Sequence, residues 1–171
     1  MDKKAIRKAA LQKRRLIAYK EEKSQIIQNN VLPILKPYKR IGIYMHTNDE
    51  VQTSMIIQKL SLTHKIYIPS CDEDEMHFHL YDPTLLYKGM FGITQSRGEV
   101  CDKLDVLVVP LVAYTKNKER LGNGKGYYDK YLAKHSLYTI GIAFDEQEVD
   151  DVCSEVHDYV LDKIITNKRI L

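Results

Sequence analysis

The residues best suited to chemistry lie in one short segment, Arg120–Asp129, which reads RLGNGKGYYD. Its glycines alternate at positions 122, 124 and 126, and it carries two cations, Arg120 and Lys125. Glycine allows positive φ and close approach of the backbone to a ligand, which frees backbone N–H groups to act as donors. A helix starting directly afterwards would add unpaired N–H groups and the positive end of its dipole. The segment therefore predicts a phosphate-binding loop.

This loop matches neither of the two commonest nucleotide-binding motifs. Glu119 stands where a Walker loop has its first glycine, and neither Ser nor Thr follows Lys125. Tyr127 occupies the place of the third glycine in the dinucleotide-binding fingerprint. Both motifs depend on these positions for their contacts with phosphate and metal. On these residues alone, a glycine-rich turn without a ligand stays open as the alternative.

A second group of cations lies at the N-terminus, where eight of the first twenty residues are Lys or Arg. On a helix, Lys3, Arg7 and Arg14 would fall within about 40° of one another, so they could face one polyanion. A solvated basic face is the plainer interpretation of the same pattern.

Five segments in order resemble the 5-formyltetrahydrofolate cyclo-ligase family. They are Lys3–Arg7, Tyr44–Glu50, Val106–Tyr114, Arg120–Leu132 and His157–Thr166. The resemblance implies an enzyme that uses ATP and Mg²⁺ to convert 5-formyltetrahydrofolate to 5,10-methenyltetrahydrofolate, releasing ADP and phosphate through a phosphorylated formyl intermediate. The chain departs from the family pattern in three places. The segment Tyr114–Arg120 lacks the Asp and Gly that usually precede Arg-Leu-Gly, position 123 is Asn where an aromatic residue is common, and no Glu-Pro pair follows Phe91-Gly-Ile.

The resemblance also implies roles for individual residues. It assigns ATP binding to Lys3, Lys4, Ala5, Ile6, Arg7, Arg120, Leu121, Gly122, Asn123, Gly124, Lys125, Gly126, Tyr127 and Tyr128. It assigns folate binding to Met45, Glu50, Asn123, Gly124, Lys125, Gly126 and Tyr127, and Mg²⁺ binding to Asp129 and Asp158. Within this set we expect Arg120 and Lys125 to act on the phosphates and Tyr127 to orient the formyl group.

These assignments agree with the chemistry of the side chains. Glu50 follows a predicted strand end, where α/β proteins tend to bind ligands, and a carboxylate there could accept hydrogen bonds from a pterin ring. Asp129 and Asp158 carry the hard oxygen ligands that Mg²⁺ prefers. Taken singly, each of the three acids could equally be a surface residue or a helix cap.

Other candidate sites are weaker. His77 and His79 would share one face of a strand, but no third zinc ligand of suitable spacing accompanies them. Cys71, Cys101 and Cys153 are too widely spaced for a metal or redox motif, and we expect reduced structural thiols. A regulatory nucleotide-binding module without catalysis is the main alternative function. An RNA-binding protein using the basic helix is a third possibility, although no aromatic and basic stripe supports it.

The elements that must position these residues follow from the pattern of apolar residues and of Gly and Pro. Helices are predicted over Lys3–Tyr19, Lys23–Leu35, Val51–Leu62 and Tyr127–Lys134. Strands are predicted over Arg40–Met45, Lys65–Pro69, Met76–Tyr81, Asp105–Pro110 and Tyr138–Phe144. The acidic cluster Asp72–Glu75 is predicted to be a solvated turn. The order of strand, loop, helix and strand indicates a three-layer α/β/α fold with a mostly parallel central sheet.

Length and composition bound the remaining possibilities. The 171 residues, 44% apolar and 29% charged, suit a single globular domain over residues 1–171. No apolar run approaches the about 20 residues that span a bilayer, and no secretory signal is visible, so we expect a cytoplasmic protein without a membrane partner. A net charge of +3 is too small to suggest a nucleic acid partner. We expect a monomer or a weak homodimer.

Overall fold

The computed structural model describes residues 1–101 and 103–171. Within them the α-helices are Lys3–Arg15 (α1), Lys20–Leu35 (α2), Ser54–Leu60 (α3) and Tyr127–Lys134 (α4). The strands are Arg40–Ile43 (β1), Lys65–Cys71 (β2), Met76–Leu80 (β3), Leu86–Lys88 (β4), Thr94–Ser96 (β5), Val100–Cys101 (β6), Val106–Val109 (β7), Ala113–Tyr114 (β8), Arg120–Leu121 (β9), Tyr138–Ile142 (β10) and Lys163–Ile165 (β11). Short 3₁₀ turns lie at Pro83–Leu85, Met90–Gly92 and Asp145–Gln147.

A seven-stranded sheet in the order β11-β10-β7-β1-β2-β3-β6 forms the centre of the molecule. The pairs from β11 to β2 are parallel, and β3 pairs antiparallel with both β2 and β6. All four residues of β7 are buried, as expected for a central strand covered on both faces. Two small hairpins, β4–β5 and β8–β9, lie outside this sheet. The predicted α/β fold with a mostly parallel sheet is confirmed.

Alternate residues of the strands pack into two separate hydrophobic cores, one on each face of the sheet. Val106 and Val108 belong to the core that α2 and α3 cover, whereas Leu107 and Val109 belong to the core that α4 covers. Helix α1 packs on a third, smaller cluster around Leu121. The period of two along a strand produces this division.

The ends of several elements differ from the sequence predictions. Helix α1 ends at Arg15 and α2 begins at Lys20, after Tyr19 with φ +56°. The end of α2 at Leu35 agrees with the prediction; Pro33 lies inside its last turns, and the fully buried Leu35 packs the end of the helix against the core. Residues 51–53 lie outside the helix, which starts at Ser54 and not at Val51 as predicted; the carbonyl of Val51 accepts a hydrogen bond from the Tyr44 hydroxyl at 2.7 Å.

None of the helices in the described chain is long and apolar enough to cross a membrane.

Candidate active site

A cleft of about 700 Å³ opens where the carboxyl ends of the central strands meet the glycine-rich loop. Tyr44 and Met45 follow β1, Pro110 follows β7, and Cys71 ends β2; all four line the cleft. This edge of a parallel sheet is where α/β proteins place ligands. The cleft brings together most of the residues that the sequence had selected from distant segments.

The glycine-rich loop has the conformation that its sequence predicts. Gly124 has φ +93° and Gly126 has φ +73°, both in the left-handed region that favours glycine. Gly126 is the N-cap of α4, so the predicted helix Tyr127–Lys134 is confirmed and its unpaired N–H groups begin at the loop. A Cβ at Gly124 would lie 3.2 Å from Cζ of Arg7, which shows how closely α1 approaches the loop.

Five Lys and Arg side chains line the cleft, and all but Lys125 have hydrogen-bond or ion-pair partners among the described residues; Lys130 donates to the carbonyl of Asp74 at 3.5 Å. The Nε of Arg7 donates to the carbonyl oxygen of Gly122 at 2.7 Å, and Lys3 forms an ion pair with Asp158. The Arg120 side chain is only 4% exposed, and its Nη2 lies 3.1 Å from Oδ1 of Asp129. Its buried Nε has no hydrogen-bond partner in the described chain. A buried guanidinium with a spare donor suits an anionic ligand.

Lys125 is the remaining cation, and its charge faces an aromatic ring. Its Nζ lies 4.3 Å from the ring centroid of Phe91, and the described residues offer it no ion pair. Phe91 itself has φ +59° and is 54% exposed. Since a cation–π contact at an exposed site is worth only about 0.5–1 kcal/mol, a phosphate group could displace the ring.

The two carboxylates assigned to Mg²⁺ both line the cleft. Asp129 accepts hydrogen bonds from Arg120 and from the backbone N–H of Tyr159, the latter at 3.2 Å. Burial alone would raise the pKa of Asp158, but the hydrogen bonds from Lys3 and the Glu155 N–H, and the charge of Lys3, lower it below the usual value. Asp158 is therefore ionised at neutral pH.

Asp129 and Asp158 are the candidate Mg²⁺ ligands, and each is paired with a cation, Asp129 with Arg120 and Asp158 with Lys3. The described residues contain no group of three or more His, Cys, Asp or Glu arranged around a metal position. Mg²⁺ in phosphoryl-transfer sites commonly takes one or two carboxylates and fills its other positions with phosphate and water. Asp129 and Asp158 could supply the carboxylates.

The other end of the cleft is suited to a ring system. Met45 and Glu50 both line it, as the resemblance implied. Thr47 fixes the Glu50 carboxylate through its hydroxyl and its backbone N–H, the latter at 3.3 Å. Burial, with a further contribution from the negative charge of Glu50, raises the pKa of Tyr128. The carboxylate is thus held in place beside a neutral tyrosine.

Tyr127 lines the cleft, but its hydroxyl is engaged elsewhere. It donates to the carbonyl oxygen of Asp72 at 2.6 Å, and burial followed by nearby negative charge raises the Tyr127 pKa. Lys134 of α4 forms an ion pair with Glu75 of the same turn. The turn Asp72–Glu75 is exposed as predicted, but it is also tied to α4.

Some assigned ATP-binding residues do not line the cleft. Leu121 is fully buried in the cluster beneath α1, and Ile6 packs against the same cluster. Lys4 and Ala5 lie on the exposed side of α1. The helical period turns Lys4, Ala5 and Ile6 away from the face that carries Lys3 and Arg7. Leu121 belongs to β9 and packs in the core beneath α1.

Several residues that line the cleft carried no clear signal in the sequence. An apolar wall comes from Pro69, Met76 and Ile93, and Gln95 is a buried polar group within it. The Oε1 of Gln95 accepts hydrogen bonds from Ser70 at 2.9 Å and Tyr87 at 3.0 Å. Pro69 and Met76 lie in the predicted strands β2 and β3, whereas Ile93 and Gln95 come from the segment at β5, which no periodicity predicted. Glu155 and His157 also line the cleft beside Asp158.

The cysteines and the histidine pair have the roles of ordinary side chains. All three cysteines are free thiols. Burial, followed by the charge of Asp72, raises the pKa of Cys71 to about 11, so this cleft-lining thiol is neutral near pH 7. His79 shares a hydrogen bond of 2.8 Å with the carbonyl of Gly98.

Comparison with known proteins decides the family. The family model described as 5-formyltetrahydrofolate cyclo-ligase matches residues 1–167. The chain belongs to this family of enzymes. A 5-formyltetrahydrofolate cyclo-ligase of Mus musculus is 33% identical over 147 residues, covering 74% of this chain and 72% of the relative. The corresponding protein of Haemophilus influenzae is 31% identical over 140 residues, covering 74% and 75%.

Solved structures of cyclo-ligase relatives share the fold. The 5,10-methenyltetrahydrofolate synthetase of Aquifex aeolicus superimposes with a TM-score of 0.89 at 28% identity, covering 99% of this chain and 92% of that one. The synthetase of Mycoplasma pneumoniae gives a TM-score of 0.80 at 28% identity, covering 98% and 99%. The similarity extends over nearly the whole chain, including every segment that lines the cleft.

Proposed function

We propose that this cyclo-ligase converts 5-formyltetrahydrofolate to 5,10-methenyltetrahydrofolate in a reaction that consumes ATP and requires Mg²⁺. Membership of the family supports the folate part. The observation that supports ATP is the glycine-rich loop at the start of α4, surrounded by Lys3, Arg7, Arg120 and Lys125. Backbone N–H groups, a helix dipole and four cations together form a site for a polyphosphate.

The reaction needs ATP because a formamide oxygen is a poor leaving group. In the proposed sequence the formyl oxygen attacks the γ-phosphorus, forming an O–P bond while the bond to the ADP oxygen breaks. N10 then adds to the activated carbon, the C–O bond breaks with loss of phosphate, and the N10 proton leaves. Catalysis of phosphoryl transfer consists mainly of positioning and charge neutralisation.

Different residues of the cleft have different roles in the proposed reaction. Lys125 and the loop N–H groups hold the transferred phosphoryl group, and Arg120 neutralises charge from its buried position. Glu50 accepts hydrogen bonds from the pterin ring. Asp129 and Asp158 would hold Mg²⁺, which when bound neutralises phosphate charge. Tyr127 orients the formyl group, either through its ring or after its hydroxyl leaves Asp72.

The test is turnover of the purified protein, followed through the absorbance of the methenyl product with and without ATP and Mg²⁺. We expect product only when both are present. ATP binding without product would favour a nucleotide-binding module that has lost catalysis, and product without ATP would refute the phosphorylated intermediate. Monomeric or weakly dimeric assembly and a cytoplasmic location stay predictions from the sequence.

A further inference from the structure

A second cleft, of about 320 Å³, adjoins the main cleft at its folate end. Three residues line both the main cleft and the second cleft: Met45, Thr47 and Ile93. The second cleft lies between the segment that follows β1, the start of α3 and the β4–β5 hairpin. A ligand whose ring system lies near Met45 and Glu50 can therefore extend into it.

The lining of the second cleft differs in charge from that of the main cleft. No Asp or Glu of the described chain lines it, whereas Glu50, Asp129, Glu155 and Asp158 line the main cleft. It has one Lys, one His and several hydroxyl or amide side chains, namely Thr47, Asn48, Thr53, Ser54 and Thr94. A cleft rich in donors and without acids favours an anion.

His46 presents a fixed donor to this cleft. Its Nδ1 accepts a hydrogen bond from the backbone N–H of Thr53 at 3.2 Å, so the proton of the neutral ring is on Nε2. No partner of Nε2 is found in the described chain. Burial lowers the pKa of His46, which favours this neutral form. The Nε2–H group is available to a ligand acceptor.

Lys88 supplies the positive charge. It is exposed, its Nζ donates to the hydroxyl of Thr94 at 3.3 Å, and no acid of the described chain pairs with it. That hydrogen bond keeps the ammonium beside the second cleft. Its counter-charge must come from solvent or from a ligand.

We propose that the second cleft binds the glutamate tail of the folate substrate, with Lys88 and the Nε2–H of His46 as carboxylate donors. A reduced folate carries its carboxylates at the end opposite to the pterin, and with the ring near Glu50 the tail can pass Met45 and Thr47, which line both clefts. The inference relies on the proposed function only for the identity of the substrate. No residue of the segment Arg120–Asp129 lines the second cleft.

The experiment compares 5-formyltetrahydrofolate with 5-formyltetrahydropteroate, which ends at the benzoate and lacks the glutamate. Both are titrated calorimetrically and assayed for turnover against wild type, Lys88→Met and His46→Asn. Asparagine can still accept the Thr53 N–H bond but offers no donor at the Nε2 position. Lys59→Met removes an exposed lysine of α3 that lines neither cleft and serves as the matched control.

We expect wild type to bind the glutamate-bearing folate about tenfold more tightly, as one well-placed charge-assisted contact provides. Lys88→Met and His46→Asn should each reduce this ratio about threefold, and Lys59→Met should leave it unchanged. A ratio unaffected by both variants, or equal weakening of both compounds, would overturn the proposal. If wild type shows the ratio in binding without any turnover, the tail site stands and the proposed reaction fails.

Discussion

Lys125 differs from the other cations of the cleft in what surrounds its charge. Lys3 and Arg120 have carboxylate partners and Arg7 has a carbonyl, whereas Lys125 faces the ring of Phe91. A lysine held only by a weak cation–π contact can move to a phosphate at little cost. Lys125 is therefore the residue whose charge is most available to the transferred phosphoryl group.

Replacing this lysine tests that role. We expect Lys125→Met to lower kcat/KM for ATP about 100-fold, since loss of a charged contact with the transferring phosphate costs about 2.7 kcal/mol. Thermal stability should hardly change, because the side chain is exposed. Steady-state kinetics and a melting curve measure the two effects, with Lys59→Met as the control. Kinetics equal to wild type would remove Lys125 from the phosphate site.

Gly126 is suited to its position by its backbone conformation and not by a lack of space for a side chain. An added Cβ would meet no atom within 4 Å, so the φ of +73° is the only obstacle to a side chain. We expect Gly126→Ala to lower the free energy of unfolding by about 1–2 kcal/mol through left-handed strain alone. Denaturant titration measures this change in the free energy of unfolding. An unchanged midpoint would mean that the loop adapts its backbone freely.

At the scale of elements, the turn Asp72–Glu75 and α4 act as one unit. Tyr127 connects them at one end and the Lys134–Glu75 ion pair at the other. We expect Tyr127→Phe to speed hydrogen exchange of the turn, because it removes a bond to the Asp72 carbonyl. Lys134→Met should speed hydrogen exchange of the turn to a similar extent without lowering kcat.

The same pair of variants separates two roles of Tyr127. If its hydroxyl only anchors the turn, both variants change kcat less than about tenfold; if it also contacts the formyl group, Tyr127→Phe alone lowers kcat by about 100-fold. We expect the second result, which corresponds to the proposed role in which the hydroxyl leaves Asp72; a role of the ring alone would give the first. Equal kcat values for the two variants would contradict it.

Strand β1 depends on a glycine for its packing. A Cβ at Gly42 would lie 2.6 Å from Cδ1 of Leu104 and 2.8 Å from Cδ1 of Leu107. We expect Gly42→Ala to destabilise the protein by about 1–3 kcal/mol, the usual cost of overpacking a core. Urea unfolding followed by circular dichroism measures it. A stability equal to wild type would show that the two leucines repack without strain.

At the scale of the whole molecule, ion pairs join segments far apart in sequence. Lys3 forms an ion pair with Asp158, and the Nε of Arg169 lies 2.8 Å from Oδ1 of Asp145. Burial alone would raise the pKa of Asp145, but hydrogen bonds from Arg169 and Thr166 and the charge of Arg169 lower it. These pairs hold both ends of the chain to the body of the fold.

The pH dependence of stability follows from the direction of these shifts. A carboxylate whose pKa is lower in the folded state stabilises the protein above its unfolded pKa of about 3.9, and this contribution is lost as pH falls through the folded value. We expect the free energy of unfolding of wild type to decrease between about pH 5 and pH 2. Arg169→Met should be less stable than wild type at pH 7, and the difference should shrink on acidification. A difference that stays constant with pH would contradict this linkage.

The sequence by itself determined the local elements and the chemistry of the loop. The four buried residues of β7, the start of α4 at Tyr127 and the positive φ at Gly124 and Gly126 all follow from short-range preferences. The family resemblance added the substrate, and the fold placed Lys3, Arg7, Glu50 and Asp158 in one cleft as expected. The strand, the helix start and the loop conformation can be predicted because they depend on residues that are neighbours along the chain.

Only the tertiary structure decided which side chains reach the cleft. Leu121 lies within the motif, yet it is buried beneath α1, and Phe91 and Gln95 enter from a hairpin that no pattern predicted. The second cleft beside His46 and Lys88 likewise arises from three segments brought together in the fold. Contacts between residues distant in sequence depend on how whole elements pack, and the local periods of helix and strand carry no record of that packing.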